Sequence, residues 1–237
     1  MGNATIVNVH KYGRNLDLDA AVPETIWDKG GSYVWPSGSE KVKVVSSSVA
    51  DTAAGTGLRT IRIDGLDANW DLQSETITLN GTTPVEGDLD FLRVFKQKGL
   101  TAGSGGTNAG IITCSGVISS LVFGAMVVGM GNSQLGLYSV PRLTTMELDH
   151  IFCTSLKLAA SGAWEVRMMI REFGQTCWNL RGTIGGHTQS GPSHRWYRPA
   201  LVLPAKCDIE FIGEATANNT SVALEFDARL YTSAPDA

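Results

Sequence analysis

Hydrophobic and polar residues alternate along much of this chain, most regularly over residues 59–81. Ile61 and Ile63 alternate with Thr60, Arg62 and Asp64, and Ile77 and Leu79 alternate with Thr76, Thr78 and Asn80. Each run therefore offers one apolar and one polar face, as a half-buried strand does. A polar connection joins the two runs and Asn80-Gly81 closes the second, which predicts a β-hairpin. Further strands are expected over 41–48, 91–95, 135–141, 144–152, 164–173 and 177–182. In the run from Trp164, the residues Trp164, Val166, Met168 and Ile170 alternate with Glu165, Arg167, Met169 and Arg171, one face buried and the other charged. Residues 207–213 and 221–231, joined through Asn218-Asn219, are expected to form a second hairpin, and 185–194 a loop.

The most apolar stretch, 117–130, is interrupted by serine and glycine and is shorter than the roughly 20 residues that span a bilayer, so it is read as core. No segment carries a helical period for more than about two turns. Short alternating runs separated by turns predict an all-β fold, an antiparallel β-sandwich of jelly-roll type spanning 41–237.

Residues 1–40 differ. Tyr12, Ile26, Trp27, Tyr33 and Trp35 stand there without strand or helix period, so the segment reads as an extended N-terminal arm. Leaving large apolar side chains in water costs about 1.5–3 kcal/mol each, so they must dock. The docking surface is this chain's own sandwich or a neighbouring subunit, and both remain open. Sheet edges also need covering. A symmetric homo-oligomer, expected to be a trimer, would satisfy both needs, with Tyr12, Trp27, Tyr33 and Trp35 crossing a subunit boundary.

The 237 residues, 43% of them hydrophobic, suffice to bury a core, and the 27 glycines suit a fold with many turns. The formal charge is −4 and the 19 Lys and Arg residues are scattered singly, so no nucleic-acid partner is expected. Cys114, Cys153, Cys177 and Cys207 lie far apart with no metal-ligand spacing. They read as free thiols, mostly buried, made in a reducing cytoplasm. The start of the chain predicts neither a signal peptide nor a lipid anchor at Gly2.

The chemical motifs are incomplete. Asp67, Asn69 and Asp71 match the first three ligand positions of a calcium loop, but Leu72 replaces its glycine and Thr78 its bidentate acid. His187 and His194 share a loop with Ser190 and Ser193 without an orienting acid or a Gly-x-Ser-x-Gly elbow. Asp64, Asp67, Asp71 and Glu75 lack the aromatic subsites of a glycosidase. The glycine-rich run 101–110 has no lysine for a phosphate cradle. No catalytic residue, metal or cofactor is therefore expected.

Several blocks resemble a family of β-rich virion structural proteins of tailed bacteriophages, notably marine and cyanobacterial ones. They are Tyr12-Gly-Arg-Asn-Leu-Asp-Leu-Asp19, Val22-Pro-Glu-Thr-Ile-Trp-Asp28, Asp51-Thr-Ala-Ala-Gly-Thr-Gly57, Gly65-Leu-Asp-Ala-Asn-Trp70 and Lys206-Cys-Asp-Ile209. The most specific is Ser74-Glu-Thr-Ile-Thr-Leu-Asn-Gly-Thr-Thr-Pro-Val85. The resemblance runs from Tyr12 to the C-terminus and departs at Tyr138-Ser-Val-Pro-Arg-Leu-Thr144, where a Pro-Ala-Gly-Lys turn is common in the family. It implies a particle component without catalytic residues, made in the host bacterial cytoplasm. Three classes are open: a capsid decoration (cement) protein bound to the major capsid protein or other virion proteins, a tail or tail-fibre component with receptor binding at its loop tips, and a carbohydrate-active enzyme or carbohydrate-binding sandwich (lectin). Aromatic anchors in the arm suit protein docking, and the absence of heptads or shaft repeats favours the head over the tail.

Overall fold

The computed structural model describes residues 5–156 and 162–232; Gly2, considered above for a lipid anchor, lies outside them. In chain order the strands are β1 (Thr5–Leu18), β2 (Glu24–Thr25), β3 (Glu40–Ser46), β4 (Leu58–Leu66), β5 (Leu72–Thr78), β6 (Val85–Phe91), β7 (Arg93–Ala102) and β8 (Ile112–Gly116). They continue as β9 (Val122–Met126), β10 (Leu137–Ser139), β11 (Thr144–Leu156), β12 (Ala163–Arg171), β13 (Asn179–His187), β14 (Ser193–Leu203), β15 (Asp208–Ala215) and β16 (Thr220–Thr232). The described residues contain no helix, and every strand-to-strand ladder is antiparallel.

The chain divides into two compact units, Met1–Tyr33 with Leu135–Ala237, and Val34–Gln134. The division expected from the sequence was an arm, 1–40, and one sandwich, 41–237. In the first unit, one sheet has the order β1-β16-β11-β14 and the other β10-β15-β12-β13, with β2 added against β15. The inward residues of β12 are Trp164, Val166, Met168 and Ile170, and those of β16 are Val222, Leu224, Phe226, Ala228 and Leu230, all buried. The rings of Phe211 and Phe226, one from each sheet, lie 5.4 Å apart, so the two sheets face each other across this core. Between β10 and β16 each connection crosses from one sheet to the other, except the β12–β13 hairpin. That includes β15 to β16, so the expected second hairpin is instead a crossover, turned at Asn219 with a φ of 57°.

The expected arm opens with a long strand. β1 pairs with β16 from Thr5↔Thr232 to Leu18↔Thr220. Its period is hidden because the inward positions are Lys11, Gly13 and Asn15. Gly13 is required there, since a Cβ would lie 2.4 Å from the Gly136 nitrogen. The loop after β1 is organised by buried Glu24, whose carboxylate accepts from the Asn15 side chain (3.0 Å) and the Gly31 N–H (2.6 Å). Trp27 (2% exposed) and Tyr33 (7%) pack edge to face at 5.0 Å within this unit.

The second unit contains sheets β6-β3-β8-β9 and β5-β4-β7. The hairpin read from residues 59–81 is β4–β5, with Ile61 opposite Ile77. Ile61, Ile63 and Ile77 join Val42, Val44, Phe91, Ile112, Phe123 and Met126 in one buried cluster. Of the run 117–130 expected as core, Phe123, Ala125 and Met126 are buried, whereas Ile118 stands 87% exposed at a turn.

Candidate interaction surface

The outer face of β1-β16-β11-β14 gathers three of the four histidines into one row. A β-bulge in β11 makes this possible. Leu148 is opposite Ala228 and His150 opposite Asp227, so Asp149 is an extra residue and both Asp149 and His150 turn outward. His10 Nδ1–H donates to Asp227 Oδ1 (2.6 Å), and Asp227 Oδ2 lies 3.9 Å from His150 Nδ1. On its other side, His150 Nε2 meets His194 Nδ1 at 3.1 Å. The ring centroids are 5.3 Å apart and the planes 14° apart. The centroid separation exceeds the nitrogen separation by about two ring radii, so the rings lie edge to edge and nearly coplanar. The two nitrogens can share one proton as an N–H···N bond, and a second proton between them would set two donors head to head. The row His10, Asp227, His150, His194 thus crosses all four strands.

Trp196, opposite His150 in the β11–β14 register, stacks on that imidazole at 3.8 Å and remains 59% exposed. Phe152 meets His194 edge-on at 5.0 Å. Beside this row, Arg229 forks onto Asp149 (Nε–Oδ2 3.0 Å, Nη2–Oδ1 2.8 Å) and approaches Glu147 at 3.3 Å. Asp149 above all holds the guanidinium in its charged form. The arrangement fits a binding face: planar aromatic and imidazole groups on a rigid sheet, framed by satisfied charges.

Cation–aromatic pairs stand on β14 and, in the other sheet, around the ends of β12, β13 and β15. Arg195 lies over Tyr197 (5.1 Å), Arg198 over Trp196 (5.6 Å), Arg171 over Trp178 (4.6 Å) and Lys206 over Phe173 (4.5 Å).

Residues singled out in the sequence have other employment. Trp27 and Tyr33 are covered by their own chain, and Tyr12 is half-buried on the outer face of β1. Trp35 and Trp70 lie 5.1 and 5.2 Å from the guanidinium of buried Arg93, which also donates to the Pro36 carbonyl (3.0 Å). Of the aromatic residues expected to seek a partner, Trp27 and Tyr33 are buried within their own chain, while Tyr12 and Trp35 are half-buried. Asp67 Oδ1 accepts from the Asn69 and Asp71 amides (2.8 and 2.9 Å), an Asx-type turn. Asp64 pairs with Arg62, and Glu75 accepts from the amides of Asp88 and Leu89. Among the described residues no three His, Cys, Asp or Glu side chains are placed to hold a metal ion. Ser190 and Ser193 bond backbone carbonyls of His187 and Gly185, while His194 turns to His150. The glycine-rich run does bind an anion, but one of the chain's own: the amides of Ala109 and Gly110 donate to Asp51 (both 2.9 Å).

The His150–His194 pair was missed because 44 residues separate its members. A signal for the bulge was present, since Leu148-Asp149-His150-Ile151 puts two polar residues where strict alternation allows one.

No known family model matches this chain, and no curated protein matches it. Among solved structures, that of infectious bursal disease virus, Gx strain, aligns over 97% of this chain and 77% of its own, at 8% identity and a TM-score of 0.23. At that score the two folds are not equated.

Proposed function

We propose that this protein is a structural component of a tailed-bacteriophage virion, a decoration protein that binds the major capsid protein and stabilises the head shell. The observation that carries this reading is the strand order of the first unit. Sheets β1-β16-β11-β14 and β10-β15-β12-β13, exchanged at each connection from β10 onward except β12–β13, have the winding of a jelly roll, an architecture frequent in viral capsid domains. That step is fold-level analogy. Two independent features support it: the sequence blocks that resemble phage virion proteins, and the exposed Trp196 face set among imidazoles on a rigid sheet. Three buried thiols suit synthesis in the reducing bacterial cytoplasm. The particle form is a homo-oligomer, trimeric by analogy with other virion sandwiches.

Mass spectrometry of purified virions, followed by separation of heads from tails, tests the assignment. Recovery with heads in stoichiometric amount is expected. Recovery with tails would make the protein a tail or fibre component, and absence from both fractions would overturn the virion reading.

A further inference from the structure

The net charge of −4 conceals two segments of opposite sign. Residues 64–90 contain seven carboxylates and no Lys or Arg, a charge of −7, whereas residues 171–206 contain five cations and only Glu172, a charge of +4. The acidic segment lies in the second unit, and β6 is the edge strand of its sheet. Glu86, Asp88 and Asp90 alternate outward there and are exposed. Lys41 and Lys43 stand opposite Asp90 and Glu86 on β3, and no ion pair closes between them among the described residues. The cationic segment lies in the first unit and includes β14, likewise an edge strand. Arg195 and Arg198 are exposed there over Tyr197 and Trp196, and Lys206 lies over Phe173, itself 63% exposed. Arg195, Arg198 and Lys206 have no carboxylate partner among the described residues, unlike Arg181, which pairs with Glu172 at 3.1 Å.

We infer that the β14 edge, with Arg195, Arg198 and Trp196, docks on the acidic β6 edge of a second copy of this chain. Rigid aromatic rings beneath guanidinium groups preorganise flat cationic surfaces, and opposite charges steer the encounter and fix its register. The amides of Asp88 and Leu89 are already taken by Glu75, so side chains make the contact and no sheet is extended. A contact between two different patches is heterologous, and such a contact forms a ring where its rotation closes and a filament where it does not. The closed ring is the geometry that a trimer needs, so the inference deepens the oligomer part of the proposed function and rests on it.

The test is analytical ultracentrifugation of the full chain over a concentration series, at about 0.1 M and about 1 M NaCl, between which the screening length falls from roughly 10 to 3 Å. Three variants accompany the wild type: Arg195→Glu with Arg198→Glu, Glu86→Lys with Asp88→Lys, and the swap carrying all four changes. The wild type should associate at low salt and dissociate at high salt, each reversal should be monomeric, and the swap should associate again. Circular dichroism and a cooperative thermal transition confirm folding of each variant. Reversal variants that assemble like the wild type would overturn the edge assignment while leaving the oligomer intact. A wild type that stays monomeric throughout would overturn the oligomer itself.

Discussion

The backbone amide of Gly110 donates to the Asp51 carboxylate at 2.9 Å across 59 residues of chain, in the interior of the second unit. Oδ2 also accepts from the Ser46 hydroxyl (2.6 Å), while Oδ1 accepts from the amides of Leu58 (2.8 Å) and Ala109 (2.9 Å). Asp51 has no exposed surface, so these bonds replace its hydration. Gly57 belongs to the same design, because a Cβ there would fall 2.1 Å from Oδ1. Asp51→Asn exchanges one acceptor oxygen for a donor, and in either amide orientation at least one buried N–H loses its partner. Urea denaturation should show a loss of about 1–3 kcal/mol. An unchanged midpoint would mean that the carboxylate does not organise the turn.

Gly13→Ala tests whether β1 belongs to the first sandwich. The new methyl would meet the Gly136 backbone, which cannot move without disturbing its bond to the Ile26 carbonyl (2.8 Å). Thermal unfolding should show a large loss of stability, whereas Gly38→Ala, with nothing within 4 Å of the added atom, should be silent. Deleting residues up to Pro36 should likewise prevent folding of the first unit, since β1, Trp27 and Tyr33 leave with it. A folded deletion variant would restore the arm to a docking role.

The thiols should divide three to one. Cys114, Cys153 and Cys207 are buried and Cys177 is exposed. Burial first, with Asp208 and Glu172 adding to it, pushes the Cys207 thiol up to about 12, and burial raises Cys114 and Cys153 as well. A disulfide-exchange reagent at pH 8 should label Cys177 alone in the native protein and all four in denaturant.

Glu40 gives the second unit an acid-sensitive support. Burial raises its pKa, but bonds from the Ser119 hydroxyl and the amides of Ser119 (3.0 Å) and Ile118 (2.6 Å), with Lys43 nearby, outweigh that and hold it below the ordinary 4.5. A depressed folded-state pKa contributes stability above the unfolded value and loses it as pH falls through the folded value. The stability difference between wild type and Glu40→Gln should therefore be constant from pH 7 to about 5 and shrink below about 4.5. A difference independent of pH down to 3 would remove the charge from this role.

Much of the fold was legible where inward positions are apolar. Trp164, Val166, Met168 and Ile170 announce β12, and Ile61, Ile63 and Ile77 announce the β4–β5 hairpin. β1 was not legible, because its inward positions are a lysine, a glycine chosen for close approach and an asparagine bonded to Glu24 and the Thr25 carbonyl. Alternation also reports a face without reporting a partner. β15 and β16 alternate as hairpin arms would, yet they belong to opposing sheets. The division into two units was hidden for the same reason, since each unit closes by pairings between distant segments. The candidate surface depends on such pairings throughout, with His10, Asp227, His150 and His194 coming from four strands and one bulge.

The virion assignment is tested most directly by a reconstruction of the purified phage particle at a resolution that separates β-strands. We expect density on the outer surface of the head, repeated at its lattice points, into which the sheets β1-β16-β11-β14 and β10-β15-β12-β13 fit with Trp196 at a protein boundary. Head and tail density fully accounted for by other chains, with none left for these sheets, would contradict it.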